Sequence, residues 1–382
     1  MGEGEKKQFD QIIVGGGVIG CSIAYQLAKR GYRVLIVERD QIGCEASSAA
    51  AGMLGAQGEF AEKSPLFQFA QESRALFKDL SEELYEKSGI DIQYIHKGIM
   101  KLAFHQHQYN KLKTIAAFQR EEDNPAYLLS VEEARKMEPG LTENLHAVLY
   151  LPNDGQVSAR HLTEAFTLAA YHHGAALREQ EKVIELLIEN RAVHGVRTTK
   201  GAYYADQIVI ATGAFGDELL PEDYGTIPVK GECLLLELEE NLFQTTLWMD
   251  GCYLVPKQGE KVIVGASSIP DKTDKHVHAA SVHKLLSRAQ KMVPRLGEAR
   301  ISSFWAGVRP ATADELPYLG EVPDVAGLYT AKGHYRNGIL LSPITGIYMA
   351  DLIENKPINP FYYDSFSLNR QGNKLEKAGE SQ

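Results

Sequence analysis

Three glycines and one carboxylate near the start of the chain have the types and spacing needed to bind a dinucleotide. Gly15, Gly17 and Gly20 form the pattern G-x-G-x-x-G, and Glu38 lies farther along the chain. In such a pattern the first glycine permits a tight turn, the second lets the backbone approach a pyrophosphate, and the third lets a helix pack closely on a strand. Glu38 would accept hydrogen bonds from both ribose hydroxyls and would repel a 2′-phosphate, which disfavours NADP.

The elements that must position these residues follow from the hydrophobic pattern. Residues 11–14 read as an apolar strand, and Ile19, Ile23 and Leu27 then recur at helical spacing on one face. Residues 34–37 are an unbroken apolar run, which is typical of a parallel strand buried on both faces. This β-α-β unit predicts a helix whose N-terminus offers N–H groups to phosphates. A glycine-rich turn in another α/β protein is the alternative, and the motif alone does not separate FAD from NAD.

Four later segments favour FAD. Residues 43–53 are a run of small residues with two hydroxyls, which lets the backbone pass along a flat ring system; a flexible loop is the alternative. Residues 206–213 read as a strand that ends in Ala-Thr-Gly, and ligands of open parallel sheets lie at the carboxyl ends of strands. The other two segments are Phe-Trp-Ala-Gly-Val-Arg-Pro at 304–310 and Gly-His-Tyr-Arg-Asn-Gly at 333–338.

The segment 333–338 leads into a predicted helix. Ser342 is a suitable N-cap residue for it, and Pro343 fits the first helical position. The positive end of such a helix, directed at a flavin, would stabilise the negative charge of the reduced ring.

These segments resemble those of the D-amino acid oxidase and sarcosine oxidase family of FAD enzymes, and within it the glycine oxidases of bacterial thiamine biosynthesis. The likeness extends from about residue 11 to residue 368, and its most specific stretches are 48–56, 228–234 and 333–341. It implies an α/β fold with a Rossmann-like FAD-binding domain and a second, antiparallel-sheet (α+β) substrate domain.

The resemblance also implies an activity. It is FAD-dependent oxidative deamination of glycine and other small amines or D-amino acids, by hydride transfer to the flavin and reoxidation by O2 to give H2O2. The glycine imine would then supply thiazole and thiamine biosynthesis. Two alternatives stay open: a sarcosine or D-amino acid oxidase, and a dehydrogenase that passes electrons to a quinone. The implied partners are a small amino acid or amine, O2 and thiazole synthase, and the implied assembly is a homotetramer.

By the same resemblance, three residues are the catalytic and substrate-binding set. Arg309 holds the substrate carboxylate, because a planar guanidinium binds a carboxylate through two parallel hydrogen bonds. Pro310 keeps Arg309 extended rather than helical. The Tyr253 hydroxyl binds the same carboxylate, and Arg336 lies beside the flavin. A surface arginine, a core tyrosine and a purely cofactor-facing or structural Arg336 are the alternatives.

The motifs and the resemblance together indicate a larger set of cofactor-binding residues, in which Val183 contacts the adenine through its backbone. The set is Gly15, Gly17, Val18, Ile19, Gly20, Glu38, Arg39, Ala46, Ser47, Ala51, Gly52, Met53, Val183, Thr212, Gly213, His334, Tyr335, Arg336, Asn337, Gly338, Ile339 and Leu340. Some family members attach flavin to a cysteine or histidine. No cysteine occurs in 305–343 and no histidine in 41–58, so we expect non-covalent FAD, with Cys44 as the one residue that argues otherwise.

The substrate pocket is predicted to be roomy. Gly251, Ser267 and Ser268 stand where some glycine oxidases have larger side chains, which weakens the expectation of a strict preference for glycine. The polar segment 57–63 is a candidate lid over this pocket.

Composition opposes several other classes of protein. The net charge of −10 over 382 residues argues against a nucleic-acid surface, and thus against a tRNA-modifying flavoenzyme. The apolar stretch 12–28 is interrupted by glycines and is short for a membrane span, so we expect a cytoplasmic protein without a membrane partner. The histidine pairs at 105/107 and 276/278 lack further nearby ligands, so no metal is expected. A non-catalytic FAD scaffold would leave Arg309 and Tyr253 without a purpose.

The predicted domains are discontinuous. The FAD-binding domain takes residues 1–88, 152–224 and 301–366, and the substrate domain takes 89–151 and 225–300. Residues 367–382 form a polar tail.

Overall fold

A computed structural model of the chain describes residues 8–370. The helices are α1 (Val18–Lys29), α2 (Ala46–Ala49), α3 (Pro65–Ser88), α4 (Gln106–Glu121), α5 (Val131–Met137), α6 (Ala159–His172), α7 (Ala279–Met292), α8 (Gly338–Ile353) and α9 (Pro360–Phe366). The first strands are β1 (Gln11–Val14), β2 (Val34–Val37), β3 (Met53–Leu54), β4 (Ile99–Ala103), β5 (Tyr127–Leu129), β6 (Ala147–Leu151), β7 (Gly155–Gln156), β8 (Ala176–Arg178), β9 (Val183–Glu189) and β10 (Ala192–Thr198). The later strands are β11 (Ala202–Tyr204), β12 (Gln207–Ile210), β13 (Ile227–Glu237), β14 (Thr246–Met249), β15 (Cys252–Lys257), β16 (Lys261–Gly265), β17 (Ile269–Pro270), β18 (Arg300–Ala311), β19 (Tyr318–Glu321) and β20 (Leu328–Lys332).

A six-stranded sheet contains the predicted dinucleotide motif. Its order is β19-β20-β12-β1-β2-β8, with β1 parallel to both β2 and β12 and only β19 antiparallel to its neighbour. Every residue of β1 and β2 is buried, because helices α1, α6 and α8 cover one face and strands β9 and β10 lie over the other. The predicted Rossmann-like α/β fold is confirmed, and the predicted strands at 11–14 and 34–37 form as expected.

A second sheet is largely antiparallel and forms the other wall of the molecule. Its order is β17-β13-β16-β15-β14-β4-β6-β5, and β18 pairs with β13. The predicted hairpin around residues 251–265 is its β15–β16 pair. The apolar face of α7 packs against β13, β15 and β16, which buries Leu285, Ala289 and Met292. The predicted fold class, with a second sheet that is largely antiparallel, is therefore confirmed.

Two observations bear on where the predicted domains begin and end. Strand β18 spans the predicted boundary at residue 301 and pairs along its length with β13, so that Gly307 lies opposite Gly231. Within the predicted tail, Leu368 and Arg370 are buried, and Arg370 donates to the Pro317 carbonyl at 2.9 Å. Residues 371–382 lie outside the described residues, and the division of the chain into domains stays a prediction.

The predicted start of the last long helix is wrong. Helix α8 begins at Gly338, after Asn337 as its N-cap, so Ser342 and Pro343 lie inside it. A proline inside a helix has no N–H for the carbonyl four residues earlier, here that of Ile339. The Ser342 hydroxyl donates to that carbonyl at 2.9 Å and replaces the missing bond. The helix therefore tolerates Pro343 and starts nearer to the segment 333–338.

The stretch 12–28, which is the most apolar in the sequence, is divided between β1 and α1. Among residues 8–370, no helix is both long enough and apolar enough to cross a membrane.

The contact between α1 and α8 yields a prediction about stability. A Cβ atom on Gly346 would lie 2.4 Å from the Ser22 hydroxyl and 2.9 Å from the Ser22 carbonyl oxygen. Ser22 is fully buried and donates to the Ser342 carbonyl at 2.7 Å, so it has little room to move. We expect Gly346→Ala to destabilise the protein by about 1–3 kcal/mol, because overpacking costs more than the helix propensity of alanine returns. Urea unfolding monitored by tryptophan fluorescence measures the change.

The matched control for this prediction is Gly201→Ala. No atom lies within 4 Å of a Cβ at Gly201, so the control should change stability by less than about 0.5 kcal/mol. A Gly346→Ala protein as stable as the parent would show that the two helices separate at no cost.

Candidate active site

A cavity of about 380 Å³ runs between the two sheets. At one end it is lined by Val14 and Val37, the last residues of β1 and β2, and by Ala211, which follows β12. At the other end it is lined by Gly231 of β13 and Arg309 of β18. The cavity thus lies between the carboxyl ends of the parallel strands and the antiparallel sheet. Open α/β sheets bind their ligands at these carboxyl ends.

The glycine motif brings three backbone segments together. Gly15 has φ of +110°, and a Cβ there would lie 2.5 Å from the Ala211 carbonyl oxygen. A Cβ at Gly20 would lie 2.1 Å from the Gly15 carbonyl oxygen. Gly20 therefore packs α1 on β1 and does not itself line the cavity, whereas Gly15 and Gly17 do.

Glu38 is fixed at the rim of this end. One oxygen of its carboxylate accepts from the Gly16 N–H at 2.7 Å, and the other accepts from the Asp40 N–H at 2.9 Å. An ionised carboxylate has about four lone-pair sites, so two remain for ribose hydroxyls. The side chain is 8% exposed and lines the cavity.

The small-residue segment passes through a narrow gap in the middle of the cavity. Gly52 has φ of +84°, and a Cβ there would lie 2.0 Å from the Val157 carbonyl oxygen. A Cβ at Gly307 would lie 2.4 Å from that of Ala49. Trp305 donates from its indole N–H to the Ala49 carbonyl at 3.0 Å. The gap admits only small residues and leaves room beside it for a flat ligand.

Arg309 and Tyr253 meet at the far end. The Arg309 guanidinium lies over Gly231, where a Cβ would come within 2.4 Å of both terminal nitrogens. It donates to the Ser267 carbonyl at 3.2 Å. The Tyr253 hydroxyl oxygen is 3.7 Å from the Cys233 sulfur. Burial raises the pKa of Tyr253 well above its ordinary value, so the hydroxyl keeps its proton and can donate alongside the guanidinium.

His334 and Arg336 differ in charge. Burial lowers the pKa of His334 to about 3, so this side chain is neutral in the cavity, where its Nε2 lies 3.1 Å from the Thr345 hydroxyl oxygen. Arg336 has 47% of its side chain exposed, and its Nη2 lies 3.5 Å from a Glu59 carboxylate oxygen and 3.7 Å from one of Glu315. The Arg336 guanidinium is therefore shared between the carboxylates of Glu59 and Glu315.

The segment before α3 is held by a buried carboxylate. Asp154 accepts from the backbone N–H groups of Gln57 at 2.9 Å and Gly58 at 2.8 Å, and it pairs with Arg74 at 2.8 Å. Lys101 donates to the Gly58 carbonyl at 2.6 Å. The candidate lid at 57–63 thus begins in a stretch whose backbone is fixed from both sides.

The cavity brings together the predicted site residues with two exceptions. Gly20 and Leu340 are outside its lining, and the buried Leu340 uses its carbonyl to accept from Ser73 at 2.6 Å. The lining residues that the sequence analysis did not name as site residues include Glu59, Phe215, Cys233, Trp248 and Lys332. The roles of all these residues stay predictions.

Phe215 could have been predicted as a lining residue from the sequence. It lies two residues beyond the predicted segment 206–213, and the Arg39 guanidinium lies 4.3 Å from the centre of its ring. Lys332 is buried, donates to the Phe215 carbonyl at 3.1 Å and pairs with Asp217. This buried lysine fixes the turn that places Phe215 over Arg39.

Among residues 8–370, one group of potential metal ligands has its atoms within 4.8 Å of one another, namely Asp40, Cys44 and Glu45. Arg39 pairs with Asp40 at 3.1 Å and with Glu45 at 3.2 Å, and Lys275 pairs with Glu45 at 2.9 Å. These cations already compensate the acidic charges. The expectation that the protein holds no metal stays a prediction.

Comparison with known families agrees with this geometry. The family profile described as FAD dependent oxidoreductase matches residues 10–352, which is most of the chain. The chain belongs to this FAD-dependent oxidoreductase family. Its predicted membership of the D-amino acid oxidase class of flavoenzymes is thereby confirmed.

Several relatives in the family are glycine oxidases. The glycine oxidase of Geobacillus kaustophilus is 45% identical over 96% of this chain and 98% of its own length, and its crystal structure superposes with a TM-score of 0.91. The crystal structure of glycine oxidase from Bacillus cereus is 41% identical, with a TM-score of 0.90 over 94% of this chain and 99% of that chain. The bifunctional protein ThiO/ThiG of Trichormus variabilis is 34% identical over 94% of this chain and 55% of its own length.

The cavity of this FAD-dependent oxidoreductase fits its cofactor. Side chains are absent at Gly15 and Gly52, where a Cβ would collide with backbone. Helix α1 begins after Gly17, which has no side chain to cap it; the Val18 N–H donates to the Ser47 hydroxyl at 2.9 Å, and the other N–H groups of the first turn face the cavity. The buried Thr212 hydroxyl lines the cavity and has no hydrogen-bond partner within the described part of the chain. Phosphates and a polar ring edge would satisfy these groups.

The buried carboxylate of Asp154 yields a second prediction. Asp154→Ala removes the acceptor for two backbone N–H groups and leaves Arg74, which also donates to Gln71, without its carboxylate partner. Breaking a buried pair in this way costs about 3–5 kcal/mol. We expect a loss of stability of this size in urea unfolding of the FAD-loaded protein, together with faster proteolysis after Lys63, an exposed residue.

The control is Asp324→Ala. Asp324 pairs with Arg191 at 3.7 Å, but its side chain is 84% exposed, so its removal should cost less than about 1 kcal/mol. Equal losses for the two variants would contradict the role assigned to the Asp154 contacts.

Proposed function

We propose that this protein catalyses the FAD-dependent oxidative deamination of glycine and other small amines or D-amino acids, with O2 as the electron acceptor. One observation carries the proposal: Arg309 and Tyr253, two donors suited to a carboxylate, converge at one end of a cavity whose other end has the dinucleotide motif. The similarity to glycine oxidases over nearly the whole chain supports the same substrate.

The substrate carboxylate binds Arg309 and Tyr253. A guanidinium can offer two parallel hydrogen bonds, and the protonated Tyr253 hydroxyl adds a third donor. Because both side chains lie on strands of one sheet, the carboxylate is held in a fixed orientation relative to the cavity. Such positioning alone lowers the barrier by aligning the reacting bond.

The rest of the cavity would hold the cofactor. Gly15, Gly17 and the start of α1 would hold the pyrophosphate, and Glu38 would hold the adenosine ribose. The segment from Ala46 to Met53 and the segment 333–339 would line the flavin. Bound FAD would supply an acceptor for a hydride from the substrate α-carbon, with O2 as the final oxidant and H2O2 as its product.

The protein's side chains do not remove the α-proton in this proposal. The substrate amine is neutral when it reacts, so that its lone pair assists the loss of hydride, and activity is expected to rise with pH. Burial lowers the pKa of His334 to about 3, so this side chain adds no charge to the cavity. The imine product then hydrolyses or passes on.

The substrate range includes more than glycine. Gly251, Ser267 and Ser268 line the cavity near Tyr253 and contribute little volume. A Cβ at Gly251 would lie 2.5 Å from an Arg288 nitrogen, so this wall is shaped by the backbone. Sarcosine and small D-amino acids are therefore expected substrates.

The fused relatives bear on the predicted partners. Delivery of the imine to thiazole synthase is supported by the fused ThiO/ThiG relatives, in which a region similar to this chain forms about half of a longer protein. A homotetramer and a cytoplasmic location stay predictions from the sequence.

Anaerobic mixing tests the proposed reaction. We expect excess glycine, sarcosine or D-alanine to bleach the flavin absorbance of the purified holoenzyme, and air to restore the absorbance with formation of H2O2. Bleaching that an artificial quinone reverses, but air does not, would instead identify a dehydrogenase. A flavin that none of the three compounds reduces would refute the substrate proposal.

Arg309→Ala tests the carboxylate site. Loss of a charged partner in a desolvated site costs about 2–5 kcal/mol, so kcat/KM for glycine should fall roughly 30-fold to several thousandfold. The variant should still bind FAD, because Arg309 lies at the opposite end from the dinucleotide motif. The control, Arg300→Ala, lies on the same strand with 83% of its side chain exposed and should keep full activity. A small effect of Arg309→Ala would place the carboxylate elsewhere.

A further inference from the structure

Glu59 is a carboxylate in the wall of the cavity for which the proposed reaction has no use. Its side chain is 10% exposed and lines the cavity. Its backbone N–H donates to the Gly55 carbonyl at 3.0 Å, directly after the stretch that Asp154 holds. The position of Glu59 is therefore fixed by the fold.

The wall that contains Glu59 continues to the carboxylate site. A Cβ at Gly55 would lie 3.8 Å both from Cγ of Glu59 and from Cζ3 of Trp248, so the two side chains flank the same glycine. Trp248 lies directly opposite Tyr253 in the β14–β15 pair. Glu59, Trp248 and Tyr253 thus form a continuous surface, with the carboxylate donor at one end and an acid at the other.

The charge of Glu59 is only partly compensated. Arg336 is 3.5 Å away, is half-exposed and also pairs with Glu315. Lys101 acts on Glu59 through space, but its ammonium donates to the Gly58 carbonyl and lies 4.4 Å from the centre of the Trp248 ring. Burial raises the pKa of Glu59, and the positive charges of Arg336 and Lys101 oppose this rise.

We propose that Glu59 determines the class of substrate by excluding a second carboxylate. A substrate anchored at Arg309 and Tyr253 would direct a larger N-substituent or side chain along the wall towards Glu59. Neutral or hydrogen-bond-donating groups are accepted there, and an anionic group meets like charge beside a largely buried carboxylate. The proposal deepens the proposed function and rests on it for the position of the substrate.

Two matched substrates test the exclusion. Iminodiacetate is glycine with an N-carboxymethyl group, and its monoamide has nearly the same shape without the second charge. We expect the wild-type holoenzyme to prefer the monoamide by about tenfold or more in kcat/KM, the ratio that a pair of like charges produces at short range in a partly desolvated site. Glu59→Gln should bring the ratio close to one, and Glu59→Asp should keep most of the preference.

The control is Glu315→Gln. Glu315 contacts the same arginine but is 61% exposed and does not line the cavity, so its removal should leave the ratio unchanged. Because the result is a ratio within each variant, a general loss of activity in Glu59→Gln does not affect it. A wild-type enzyme that oxidises the diacid as well as the monoamide would overturn the proposal, as would a ratio that Glu59→Gln does not change.

A binding measurement separates this proposal from the proposed reaction. Oxydiacetate and its monoamide lack the amine and are not oxidised, so their binding can be followed through the flavin absorbance of the holoenzyme. We expect the wild type to bind the monoamide about tenfold more tightly and Glu59→Gln to bind the two similarly. If glycine fails to reduce the flavin but this difference is seen, the reaction is refuted and the exclusion stands; equal binding to the wild type refutes the exclusion alone.

Discussion

The structure depends on the close approach of backbone at the carboxyl ends of the parallel strands. Gly15 lies so near the Ala211 carbonyl, and Gly20 so near that of Gly15, that a single added carbon at either position would collide with main chain. This contact sets the distance between β1, β12 and the start of α1. The distance in turn determines where the helix N-terminus meets the cavity and how deep the cavity is.

Charge is distributed unevenly along the cavity. The dinucleotide end offers backbone N–H groups and one carboxylate whose oxygens are already fixed by the main chain. The opposite end offers Arg309 and Tyr253, whose hydroxyl burial keeps protonated. Between them lie a neutral histidine and a gap lined by small residues. Beside them, Glu59 and Arg336 form an ion pair in the cavity wall.

Much of this could be predicted from local sequence. Residues 11–38 specify the β-α-β unit because glycine spacing, helical periodicity and a fully apolar strand act within a few residues of one another. The start of α8 could not be predicted in this way. Ser342 and Pro343 carry strong local signals for a helix N-terminus, and only the hydrogen bond from the Ser342 hydroxyl to the Ile339 carbonyl lets the helix continue through them. Glu59 and Trp248 were missed because they meet across long separations in the chain, through contacts that leave no periodic pattern.

Strand β18 extends from the small-residue segment to the end of the cavity that contains Arg309. On β18, Trp305 bonds the small-residue segment at Ala49, Gly307 gives that segment room, and Arg309 reaches the substrate end. These residues alternate along a strand, so they share one face, and about 3.3 Å of rise per residue separates them. The strand therefore sets the distance between the small-residue segment and the Arg309 guanidinium. A change of residue type within β18 alters one contact. Gain or loss of a single residue would turn Arg309 to the opposite face of the strand. The length of this stretch is therefore more tightly constrained than the residue types within it.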